Sequence, residues 1–174
     1  LGSIKCAVSD YTGMYLATDL SDILFGTPTP VMARANLGVL KKEAINVAVH
    51  GHNPVLSEVI LAQTMAMKDE AVAAGAPAGF NLVGICCTGM EVMMRHGIPT
   101  ATNSLSQELA IATGALDAAV VDYQCIMPSL PSAAKKFHTV IITTMSIAKM
   151  PGALHIEFDE KHAAEKAQEI LRAA

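Results

Sequence analysis

Three short apolar runs set the frame of this chain: Ala44-Ile45-Asn46-Val47-Ala48-Val49, Phe80-Asn81-Leu82-Val83-Gly84-Ile85 and Ala118-Ala119-Val120-Val121-Asp122-Tyr123. Runs of this length, bounded by turn or helix signals, suit strands buried on both faces. His138 to Thr144 is rich in β-branched residues and predicts a fourth strand, and Leu154 to Phe158 a fifth. Helical periodicity fills the gaps. A helix is expected over about 54–74, with Asn53 as N-cap, Pro54 in the first turn and Gly75 just beyond the end. A shorter one begins near Gly89 and stops at Arg95-His96-Gly97, with Pro99 following. Residues 104–113 form another, ended by Gly114, and Pro131 to Lys136 a turn or two more. The chain closes with an amphipathic helix from about 160, whose Ala163, Ala167, Ile170 and Leu171 share a face. Residues 1–43 read as a partly helical lead-in, with a helix over Thr12–Leu24 broken by Gly26-Thr27-Pro28-Thr29-Pro30. Strands alternating with helices over 44–174 predict an α/β domain, its mostly parallel sheet covered on both sides.

Composition adds an expectation of contacts beyond the domain. The 174 residues suffice for one sizeable core, but 52% are hydrophobic and only 16% charged, where about a quarter is usual. Such a surface expects another domain or subunit. Ten methionines and no tryptophan suit an adaptable interface. A large alanine-rich core accounts for the same numbers equally well. Net charge is -4 without a basic block, which gives nucleic-acid binding no electrostatic support. No apolar stretch approaches the roughly 18 residues that span a membrane. Leu1-Gly2-Ser3-Ile4-Lys5-Cys6 is no signal peptide, and without an initiating methionine the chain reads as an excised or processed piece of a longer protein. Four cysteines in such a chain point to a reduced, cytoplasmic setting with thiols as ligands or reactive groups.

The chemistry gathers at strand ends. His52, Cys86-Cys87 and Cys125 each lie just past one of the three apolar runs. Open parallel sheets bind ligands outside the carboxyl ends of their strands, so soft donors from three strands would meet at one edge. Cys86 and Cys87 precede a helix start, where free N–H groups favour the thiolate. On an extended backbone the two would point to opposite sides, one into the site and one into packing. Gly89 allows close backbone approach to a bulky cofactor. The alternatives are a satisfied histidine beside a capped helix and a buried structural Cys125. Cys6 reads as a packing residue. His96, His138, His155 and His162 suit surface or capping roles. Three ligands do not close a structural zinc site, but they can hold part of a larger cluster, and the donor types do not choose the metal. Neither G-x-G-x-x-G nor G-x-x-x-x-G-K-[ST] is present, which leaves a nucleotide cofactor without support.

Longer motifs carry a resemblance. The segments His50-Gly51-His52-Asn53-Pro54-Val55-Leu56-Ser57-Glu58, Asn81-Leu82-Val83-Gly84-Ile85-Cys86-Cys87-Thr88-Gly89, Val121-Asp122-Tyr123-Gln124-Cys125-Ile126-Met127-Pro128 and Asp22-Ile23-Leu24-Phe25-Gly26-Thr27-Pro28 occur in this order. Together they resemble the nickel-containing anaerobic carbon monoxide dehydrogenases, over essentially the whole chain. The more distant hybrid-cluster proteins share the fold. The resemblance implies a Rossmann-like three-layer domain from the middle of a longer, cytoplasmic, homodimeric enzyme. That enzyme carries a nickel–iron–sulfur cluster, the C-cluster, and interconverts carbon monoxide plus water with carbon dioxide, two electrons and two protons. It further implies that His52 and Cys87 ligate the iron outside the cubane-like part of the cluster, that Cys125 ligates another iron, and that Cys86 is a neighbour. Asp10 matches an aspartate that partners a proton-handling histidine. The implied partners are the remaining domains of the parent chain, a ferredoxin-like electron acceptor and acetyl-CoA synthase. One departure is Met90-Glu91, where the family has Asn-Glu; it alters contacts near the cluster without removing a ligand.

With part of the ligand set, the isolated chain is expected to be inactive, and whether these donors alone retain a cluster is a matter for reconstitution. A binding or scaffold module of the same fold is the main alternative, and a structural zinc or redox-thiol domain the next.

Overall fold

A computed structural model describes residues 1–174. Helix α1 (Gly2–Phe25) leads in and ends where Gly26 adopts φ 87°, a left-handed conformation open to glycine. It starts ten residues before the expected Thr12. The sheet follows with strands β1 (Ile45–His50), β2 (Phe80–Ile85), β3 (Thr100–Thr102), β4 (Ala118–Val121), β5 (Val140–Thr143) and β6 (Leu154–His155). The intervening helices are α2 (Pro54–Ala66), α3 (Lys68–Ala73), α4 (Cys86–His96), α5 (Gln107–Ala112) and α6 (Leu130–Ala134), and α7 (Ala163–Arg172) closes the chain. Strand β3 was not anticipated. The single expected helix over 54–74 is two, divided at Met67.

The sheet has six strands in the order β3-β2-β1-β4-β5-β6, and every pairing is parallel. This is the α/β, Rossmann-like three-layer architecture expected, with the reversal of strand order between β1 and β4. Alternation divides the strand residues between two cores. Val47, Val49, Leu82, Val120 and Ile142 pack beneath α2, α4 and α7, where Ile60 and Ile170 are fully buried. Ala48, Val83, Ala119, Val121 and Ile141 face α5 and α6 with Ile111 and Leu130. Each fully buried side chain of this size contributes about 1.5–3 kcal/mol.

The two ends of the sheet differ. At the amino end, Asn46 closes the structure. Its Nδ2 donates to the carbonyls of Lys41 and Ala115, both at 2.8 Å, and its Oδ1 accepts from Asn81 Nδ2 at 2.8 Å. At the carboxyl end the register sets His50 beside both Ile85 and Val121. The chain therefore leaves β1, β2 and β4 at one level, with Gly51, Cys86 and Asp122 side by side. Helix α2 starts as expected: Asn53 Oδ1 accepts from Leu56 N at 3.2 Å, and Pro54 opens the first turn.

Candidate metal centre

The loops that leave β1 and β4 are built around Asp122, which is buried. Its carboxylate accepts from His52 N at 2.6 Å, from Asn53 N at 2.9 Å and from Tyr123 N. Burial raises the Asp122 carboxyl above its ordinary value, and these three N–H groups oppose the rise. Gly51 makes the approach possible. Its φ is 134°, and a Cβ there would lie 1.8 Å from Asp122 Oδ1.

His52 is oriented by the same loop pair. Its Nδ1 lies 3.2 Å from the Tyr123 carbonyl, which can only accept, so Nδ1 carries the proton and Nε2 keeps its lone pair. That Nε2 is 3.9 Å from Cys125 Sγ. Gln124 and Cys125 both occupy the left-handed region, at φ 63° and 56°. Non-glycine residues rarely adopt it, at a cost of order 1–3 kcal/mol each. The strained turn is what presents the Cys125 thiol at the surface.

Cys86 is the third residue in that region, at φ 61°, and it turns β2 directly into α4. The helix therefore begins at Cys86 rather than near Gly89. The expectation that Cys86 and Cys87 point to opposite sides fails for the same reason: their sulfurs are 3.7 Å apart. Cys87 is exposed and Cys86 half-buried. Gly84 and Gly89 bring α4 hard against β2, since a Cβ on Gly84 would meet Gly89 Cα at 2.4 Å. Thr88 N donates to the Gly51 carbonyl at 3.0 Å and joins the helix start to the His52 loop. The buried Thr88 hydroxyl has no hydrogen-bond partner within the chain. The expectation of lowered thiol pKa values is not met at Cys86. Partial burial pushes it up, with the Cys87 contacts acting in both directions. Cys125 is pushed up too, by desolvation first and then by the neighbouring Cys86 thiol.

His52 and Cys87 line a cavity of about 560 Å³ that also takes in Asp10 from α1, together with Glu91 and Tyr123. The four sulfur and imidazole side chains thus gather at one lip, and Asp10 shares a cavity with two of them. No three His, Cys, Asp or Glu side chains converge closely enough to hold a single ion. Cys6 lies exposed on α1, not packed as expected. Four other histidines pair with acids: His96 with Glu58, His138 with Asp117, His155 with Glu157 and His162 with Asp159. Asp122 and Gly51 went unnoticed in the sequence. Their task is to hold backbone, and only Gly51, between two histidines, carried a visible sign.

Carbon monoxide dehydrogenase 1 of Carboxydothermus hydrogenoformans is 64% identical over 174 residues, covering 100% of this chain and 27% of the relative. Among solved structures, carbon monoxide dehydrogenase IV of the same organism superposes with a TM-score of 0.87 at 58% identity, covering 91% of this chain and 25% of its own. Another structure describes NiZn[Fe4S4] and NiNi[Fe4S4] clusters in closed and open alpha subunits of acetyl-CoA synthase/carbon monoxide dehydrogenase. It superposes with a TM-score of 0.91 at 57% identity over 96% of this chain and 25% of that one. The chain spans about a quarter of the length of these proteins. The model of the Prismane/CO dehydrogenase family matches residues 1–174, and with the relatives in agreement the chain belongs to the Prismane/CO dehydrogenase family.

Proposed function

We propose that this chain is the part of a nickel–iron–sulfur carbon monoxide dehydrogenase that supplies three protein ligands to the reaction centre. His52 Nε2, Cys87 Sγ and Cys125 Sγ are the ligands, and Cys86 is the neighbouring thiol. The observation that carries the reading is the meeting of His52 Nε2 with Cys125 Sγ at the point where strand order reverses, beside the Cys86-Cys87 pair. The donors fit the group. They are thiol and imidazole donors, His52 Nε2 meets Cys125 Sγ beside the Cys86-Cys87 pair, and the buried Thr88 hydroxyl next to Cys87 in the chain has no hydrogen-bond partner.

When bound, the cluster supplies the redox capacity to interconvert carbon monoxide plus water with carbon dioxide, two electrons and two protons. The chain's own residues do the rest. Tyr123 fixes the His52 tautomer through its carbonyl, so that Nε2 is the ligating atom. Asp122 and Gly51 hold the loop that carries it. Asp10 gives the cavity shared with His52 and Cys87 a carboxylate that would partner a proton-handling histidine of the parent chain. Residues 1–43 act as the lead-in that brings Asp10 over the domain formed by 44–174. The parent enzyme works in the cytoplasm as a homodimer and passes electrons to a ferredoxin-type acceptor. Acetyl-CoA synthase is a further partner, in keeping with a relative described as acetyl-CoA synthase/carbon monoxide dehydrogenase.

The test is metal and sulfide analysis of the anaerobically purified full-length protein, with His52→Ala, Cys87→Ala and Cys125→Ala beside it. Each variant is expected to lose nickel, part of the iron and carbon monoxide oxidation together. Full metal content in all three variants would refute the ligand assignment. Zinc without iron or sulfide in the wild type would favour a structural zinc domain instead.

A further inference from the structure

We infer that Gln107 is a positioning residue for Cys125, the buried clamp that holds its strained turn in the ligating conformation. The inference rests on the ligand role proposed above for Cys125. Gln107 opens α5 and is 1% exposed. A carboxamide offers two donors and one doubly accepting oxygen, and every one of these is used. Nε2 donates to the Cys125 carbonyl at 3.0 Å and to the Ser104 carbonyl at 2.5 Å. Oε1 accepts from Met127 N at 2.9 Å and lies 2.9 Å from His50 Nε2.

The two contacts to the Cys125 loop pin the chain where it leaves the turn. One grips the carbonyl of Cys125 itself and the other the amide two residues on. Left alone, a backbone with Gln124 and Cys125 both at positive φ relaxes toward the ordinary regions, and the thiol swings away from His52. The clamp opposes that relaxation. Its anchors are rigid: His50 is the last residue of the central strand β1 and is 1% exposed. One side chain thus sets the Cys125 turn against the strand whose continuation carries His52. No feature of the sequence marks this, because glutamine is ordinarily a surface residue.

The experiment uses the full-length protein and two variants. Gln107→Glu keeps the shape and both acceptor contacts but replaces the donor to the Cys125 carbonyl with a second acceptor. Gln107→Met fills the space with no hydrogen bonds. The readouts are iron and nickel per chain, the rate of metal release to a chelator, and the electron paramagnetic resonance spectrum of the reduced protein. Loss of an outer contact of this kind costs metal retention roughly 10- to 100-fold. We expect release to quicken by that order in both variants, with an altered spectrum and a preserved fold by circular dichroism. We also expect Gln107→Glu to add nothing in a Cys125→Ala background, since Gln107 acts through Cys125. Wild-type release and spectrum in Gln107→Glu would overturn the inference. So would a loss that adds in full to that of Cys125→Ala, the mark of general destabilisation. If Cys125→Ala itself retains all metal and an unchanged spectrum, the ligand reading fails and this inference with it. If Cys125→Ala loses metal while the Gln107 variants do not, only the inference fails.

Discussion

Asp122 shows how little of a site is made by the groups that do its chemistry. It touches no proposed ligand atom, yet it accepts from three backbone N–H groups, two on the loop that carries His52 and one on the loop that carries Cys125. Replacing it by alanine leaves buried N–H groups without acceptors, at a cost of about 1–3 kcal/mol for a group that finds no water. We expect Asp122→Ala to lower the unfolding free energy by about 3 kcal/mol, read from urea transitions at neutral pH. A change below about 0.5 kcal/mol would mean that solvent replaces the carboxylate without penalty. At this scale the sequence was informative in one direction only. His52, Cys86, Cys87 and Cys125 were visible because thiol and imidazole are rare and stood at strand ends. Asp122, Gln107 and Thr88 were not, since an aspartate, a glutamine and a threonine near loops look alike whether they face water or hold a turn. The left-handed backbone at Cys86, Gln124 and Cys125 was equally hidden, because none of these residues favours it.

Elements were legible where their periodicity ran long. The three central strands and the capped start of α2 came out where the apolar runs and Asn53-Pro54 put them. Strand β3 escaped because three residues between Pro99 and Asn103 carry no run to recognise; it exists by pairing with β2. The early start of α4 escaped because one backbone angle at Cys86 replaced a loop. The entry to α7 offers a pH test. Asp159 Oδ2 lies 2.7 Å from His162 Nδ1, and Asp159 Oδ1 accepts from Lys161 N at 3.0 Å. His162 holds the Asp159 carboxyl below its ordinary 3.8, and Asp159 holds the His162 imidazole above its ordinary 6.5. The Asp159 contribution is present above 3.8 and is lost as pH falls through its depressed value. The His162 contribution is complete below 6.5 and is lost as pH rises through its raised value. The pair is therefore fully formed between pH 3.8 and 6.5. Proton NMR titration of the His162 ring should show its midpoint fall back toward 6.5 in Asp159→Asn. An unmoved midpoint would show that the contact is not kept in solution.

Over the whole molecule, α1 is tied to the sheet domain by Arg95 of α4. Its guanidinium, 4% exposed, meets Asp22 at 3.3 Å and Glu91 at 2.5 Å, lies 3.7 Å from Glu58, and donates from Nε to the Gly26 carbonyl at 2.8 Å. Removing Arg95 takes the shared cation from three carboxylates that are only partly open to water, at a cost of about 1 kcal/mol or more. Arg95→Met should therefore loosen α1 first, seen as faster amide hydrogen exchange over residues 2–25 than over β1. Uniform exchange across both would mean that α1 does not depend on this tie. Most of the remaining surface of α1 is apolar and exposed, with Ile4, Val8, Tyr11, Met14, Tyr15 and Leu20 among its uncovered side chains. The strand order has a consequence of another kind, in time rather than in space. His52 and Cys125 are 73 residues apart and meet only because β4 returns to the free edge of β1, after β2 and β3 have extended the other edge. A pairing this distant in sequence closes late. A chain still growing from its amino end already displays His52 and the Cys86-Cys87 pair while Cys125 has yet to arrive, so whatever is loaded at this lip must wait for the second half of the sheet or be held by a half-finished grip until it comes.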